Sequence, residues 1–128
     1  MRSLLKKIFG KKINSVGQTI RQYISDANPQ LVSDSSILYE VGYFIYNQAF
    51  YQSIKEQINN KEPFNEIMKD WVQDLNQDIV QFYVLEDIGK YYLISMFDPY
   101  DYLQREKVLD IWDIDKNYLS VNHLKRID

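Results

Sequence analysis

Residues 79–97 read IVQFYVLEDIGKYYLISMF, and the period of this stretch decides the fold. Val80, Phe82 and Val84 alternate with Gln81, Tyr83 and Leu85; after Glu86-Asp87-Ile88-Gly89-Lys90 the alternation resumes through Tyr92, Ile94 and Met96. Two runs of period two around a short Gly-bearing turn predict a β-hairpin, with Gly89 at the position that wants positive φ.

Downstream of the hairpin, residues 98–106 form a polar excursion. Lys107 to Ile114 then returns as a β-rich run with Val108, Leu109, Ile111 and Trp112, which predicts a third strand. Strict alternation in that strand puts Leu109, Ile111, Asp113 and Asp115 on one side, and Asp110 and Trp112 on the other. Tyr118 to Ile127 fits either a fourth strand or a closing helix, and periodicity leaves both open.

Upstream the period is helical. Ile13, Val16, Ile20, Tyr23 and Ile24 share one stripe and Asn28-Pro29 stops it, predicting a helix over 13–26. Ser33-Asp34-Ser35-Ser36 offers N-caps to a long helical segment through Ile37, Val41, Phe44, Ile45, Ile54 and Ile58, ended by Asn59-Asn60. Its opening, 37–46, is rich in β-branched and aromatic residues and fits a strand as well. Pro63 then takes a first helical position before Phe64, Ile67, Met68, Trp71, Val72 and Leu75, a third amphipathic helix with Trp71 as a core anchor. The layout is α+β: N-terminal helices packed on one face of a C-terminal antiparallel β-meander of three to four strands, in a single domain over 1–128.

The composition removes most familiar chemistry. The 128 residues include no cysteine, so structural disulfides, thiolate catalysis and cysteine-ligated metals are excluded. His123 is the only histidine, which argues against zinc centres and Ser-His-Asp triads. The glycines at 10, 17, 42 and 89 build neither a P-loop nor a G-x-G-x-x-G fingerprint, and no G-x-S-x-G is present. The expectation is a protein that is not an enzyme, with no catalytic residue, cofactor or metal.

Charge is polarised along the chain. Residues 1–12 carry Arg2, Lys6, Lys7, Lys11 and Lys12 and no acid, leaving ten bases against eighteen acids for the remainder. Lysines interrupt the apolar run around Leu4, Leu5, Ile8 and Phe9, which argues against a secretory signal. A short basic amphipathic helix docked on the domain is the expectation; membrane contact through the same residues is the weaker reading, because so short an apolar face holds poorly alone. Nucleic acid is excluded as an expected partner by the sequence pI of about 5.1, since phosphate neutralisation dominates such binding.

The acids concentrate at Asp98, Asp101, Glu106, Asp110, Asp113 and Asp115. Such a cluster can form a solvated rim, hold a divalent cation for hydrolysis through Asp98, Asp101, Asp113 or Asp115, or meet a basic protein surface. The spacing does not match an EF-hand loop. Phe97-Asp98-Pro99-Tyr100-Asp101-Tyr102 interleaves two aspartates with two of the chain's 11 tyrosines on a Pro-stiffened loop, a composition suited to protein recognition. Asp98, Tyr100, Asp101, Tyr102, Asp113 and Asp115 are therefore the expected partner-binding residues. The function expected is a cytoplasmic, acidic binding or inhibitor protein that covers a basic site on another protein, the physical arrangement of bacterial immunity proteins against nuclease toxins. That expectation rests on size, acidity and missing catalytic signatures, with a metal-assisted hydrolase or a peripheral membrane accessory protein as the alternatives.

Overall fold

The computed structural model describes residues 16–62, 79–97, 107–119 and 124–127. In chain order the elements are α1 (Val16–Ala27), β1 (Ile37–Ile45), α2 (Gln48–Asn59), β2 (Ile79–Asp87), β3 (Lys90–Phe97), β4 (Val108–Ile114) and the two-residue β5 (Lys125–Arg126). The fold is α+β, and the strands form one antiparallel sheet in the order β4-β3-β2-β1-β5. The expected helix at 63–75, the basic segment 1–12 and the loop 98–106 lie outside the described residues.

The hairpin is as its sequence predicts. Asp87 pairs with Lys90, and Ile88 and Gly89 both take positive φ, +50° and +74°, the geometry of a type I′ turn whose twist matches the flanking strands. Phe82, Tyr83, Val84 and Leu85 on β2, and Leu93, Ile94, Ser95 and Met96 on β3, are all buried. Consecutive strand residues point to opposite faces, so both faces of the hairpin are covered.

That observation corrects the one-sided layout. Ile20 and Ile24 of α1 pack with Leu38, Tyr83, Leu85, Ile94 and Met96 on one face. Tyr51, Ile54 and Ile58 of α2 pack with Phe44, Val80, Phe82, Val84 and Leu93 on the other. A sheet whose central strands are apolar at nearly every position has to be sandwiched, and one helical layer leaves half of it wet.

Residues 37–45 take the strand alternative. β1 joins β2 along Ile37–Ile45, which brings the sheet to five strands with β5. Between Glu40 and Gly42 the register slips, so Val41 is an extra residue in a bulge. Leu38 therefore points to the α1 face while Phe44 reaches the α2 face. The bulge breaks period two and gives Ile37, Val41 and Phe44 the spacing of a helix. At the C-terminal end, the strand reading of 118–127 is met only at Lys125–Arg126, which pair with Tyr39 and Glu40; 120–123 lie outside the described residues.

Removing buried side chains on either side should cost comparably. Ile24→Ala and Ile54→Ala are each expected to lower the unfolding free energy by about 2–5 kcal/mol in denaturant titrations, the range for buried aliphatic truncation. A negligible effect at either position would contradict the two-sided packing.

Candidate functional site

α2 is positioned by its ends. Asn47, extended at φ −136°, caps its N-terminus by accepting from the Phe50 amide at 3.0 Å. At the C-terminus Glu62 N–H donates to Gln57 C=O at 2.8 Å and Lys61 N–H to Ile58 C=O at 3.0 Å, with Lys61 at φ +57°. This is a Schellman arrangement with a lysine where glycine is usual, and it turns the chain sharply beside the end of β4.

A polar network beneath α2 fixes its place on the sheet. Tyr51 Oη donates to Asp110 Oδ2, and Ser95 Oγ lies 2.6 Å from the same phenol oxygen. The Asp110 amide donates to Ser95 Oγ at 3.1 Å, and Lys55 Nζ stands 3.4 Å from Asp110 Oδ1. Burial, reinforced by the Asp110 carboxylate, drives the Tyr51 hydroxyl well above the usual phenol range. Ser95 is fully buried, so the network holds the helix and offers no nucleophile to a substrate.

β4 carries a second bulge. The register slips between Ser95 and Met96, leaving Leu109 as the extra residue. Leu109 therefore packs on the α2 face with Trp112 and Ile114, while Val108 and Ile111 serve the α1 face. The alternation expected from the sequence holds for Ile111 against Asp110 and Trp112 and fails at Leu109.

Beyond the bulge, the end of β4 and the end of α2 enclose a cleft of about 380 Å³. Ile58, Trp112 and Ile114 supply its apolar lining, and Lys61, Asp113, Asp115 and Tyr118 its polar one. Two hydrogen bonds join the walls: Trp112 Nε1 donates to Asn59 Oδ1 at 2.9 Å, and Tyr118 Oη to Glu62 C=O at 2.6 Å. Trp112 also stacks on Phe82, centroids 6.3 Å apart, so the cleft floor rests on the central hairpin. Burial and the Glu62 carboxylate raise the Tyr118 hydroxyl above its usual value, which keeps it a donor.

The cleft opens into a wider groove of about 710 Å³ that runs past Asp113, Asp115 and Lys116 to Gly89 and Lys90 of the hairpin tip. Of the six expected partner-binding residues, Asp113 and Asp115 are exposed and line this cleft together. Asp98, Tyr100, Asp101 and Tyr102 lie outside the described residues. Trp112, Tyr118 and Lys61 are the site residues that sequence reasoning missed. Trp112 reads as core, and Lys61 reaches the cleft through a helix cap that its identity disguises.

The chain matches no family model, no curated protein and no solved structure. Among the described residues no helix is long and apolar enough to cross a membrane, and no group of three or more His, Asp or Glu side chains is placed to hold a metal ion.

Tyr51→Phe removes the donor to Asp110 and should cost about 1–3 kcal/mol of stability at neutral pH. It should also change the alkaline limb of the stability curve. Because the folded hydroxyl titrates above the unfolded value of 10.0, its contribution is complete below pH 10 and is lost as pH rises further. Denaturant midpoints measured from pH 8 upward should fall less steeply for Tyr51→Phe than for wild type, and parallel curves would refute the assignment.

Proposed function

We propose that this chain is a cytoplasmic protein-binding module of the inhibitor or immunity type, whose tyrosine- and aspartate-bearing end covers a basic site on another protein. The observation that carries this reading is the pairing of Asp113 and Asp115 on a cleft floored by Trp112 and Ile114. Both faces of the central hairpin are taken up by the core, so the binding surface is sought at the sheet's ends and edges, where this cleft lies.

An aromatic and aliphatic floor gives a partner's apolar side chain a desolvated seat, and Tyr118 adds a fixed hydroxyl. The aspartates supply a field complementary to lysine or arginine on the partner. Lys61, Lys90 and Lys116 share the groove with them, so the order of charges, more than bulk acidity, would select the partner. Ten bases against eighteen acids beyond residue 12 add long-range steering toward a basic surface. Asp98, Tyr100, Asp101 and Tyr102 belong to the same proposal as a second, loop-borne contact.

The test is capture of binding proteins from the native cells at low and at high salt, followed by affinity measurement with variants. A basic, stoichiometric partner released by salt is expected. Asp113→Lys with Asp115→Lys should weaken it at least about tenfold, as removal of close charge pairs does, and Asp98→Lys with Asp101→Lys should weaken it as well. A partner indifferent to both double substitutions would overturn the reading.

A further inference from the structure

Ile88, at the tip of the β2–β3 hairpin, is 87% exposed, the most conspicuous apolar exposure among the described residues. Its backbone is left-handed at φ +50°. A β-branched side chain is disfavoured there, whereas Asn or Gly fits a type I′ turn without strain. Folding thus gains little from isoleucine at this position, while an intermolecular contact would gain an apolar knob.

Next to the knob lies a hole. Gly89 and Lys90, the residues that follow Ile88, line the groove that leads to the Trp112 and Ile114 floor. We propose that the chain self-associates through this corner, the Ile88 side chain of each copy entering the other's cleft about a two-fold axis.

The occupant follows from the arrangement. Knob and hole lie side by side on one corner, so a single two-fold rotation seats both knobs in both holes, the self-complementarity that an isologous dimer requires. The charges agree with it: Lys61, Lys90 and Lys116 line the groove together with Asp113 and Asp115. A corner of one sign would repel its own copy, whereas this one lets the lysines of each copy meet the aspartates of the other. The corner is small beside a standard interface, which predicts a weak dimer.

This inference does not rest on the proposed function, but both use the Trp112 and Ile114 cleft, so the dimer and the basic partner would exclude one another; Ile88, which has no part in the proposed function, tells the two apart. The experiment is sedimentation velocity on the full chain from about 10 μM to about 1 mM, the range expected of a small interface. The average mass should rise from 15.4 kDa toward twice that value with concentration. Ile88→Asn, suited to the left-handed turn, should stay monomeric over the same range with a melting temperature no lower than wild type, while Ile88→Leu should keep the dimer. A wild type that remains monomeric at the highest concentration, leaving the tip to a different protein, would overturn the proposal. So would an Ile88→Asn protein that associates like wild type.

Discussion

Everything in this structure depends on the β2–β3 hairpin being buried on both faces. Phe82 and Val84 serve one core, Tyr83 and Leu85 the other, and β3 repeats the division with Leu93 against Ile94 and Met96. Burying that much contiguous apolar surface demands a layer on each side, which is why α1 and α2 sit on opposite faces although they are near neighbours in sequence. β1 runs between them as the strand that carries the chain from one layer to the other.

The two bulges are the adjustments that make this sandwich close. At Val41 the extra residue lets β1 send Leu38 to the α1 side and Phe44 to the α2 side. At Leu109 it aligns Asp110 with Ser95, so that Tyr51 of α2 meets both. That partly buried network fixes where α2 lies on the sheet, and the Schellman turn at Lys61 and Glu62 ends the helix there. The helix end in turn fixes Asn59, Lys61 and Glu62 against Trp112 and Tyr118, and the cleft exists because these termini meet. A buried phenol in the first turn of α2 and an exposed cleft at its far end are thus tied together by one helix.

Legibility in the sequence followed regularity. The hairpin was readable because its period is unbroken and Gly89 marks the turn; α1 was readable because Ile20 and Ile24 share a stripe that Asn28-Pro29 ends. β1 fits a helix as well as a strand because its bulge puts Val41 and Phe44, three apart, on one face, and only its β-branched and aromatic content favours the strand that forms. Alternating apolar residues imply one buried face only when their neighbours are polar, and Tyr83, Leu85 and Leu93, the neighbours here, are themselves buried. Strand alternation sets Asp113 and Asp115 opposite Trp112, yet both line the cleft that Trp112 floors, and β4 ends at Ile114, before Asp115. The convergence of Trp112, Tyr118 and Lys61 was not legible either, since it depends on how α2 ends against β4, a contact between segments about 50 residues apart.

The hairpin is therefore the rigid base, and the cleft lies beside it where α2 and β4 end. Native-state hydrogen exchange at the amides of 82–85 and 93–96 tests that claim most directly. The account predicts that these amides exchange only through global unfolding, with a free energy equal to that from denaturant titration. Exchange of the hairpin amides through a local opening well below the global value would contradict it.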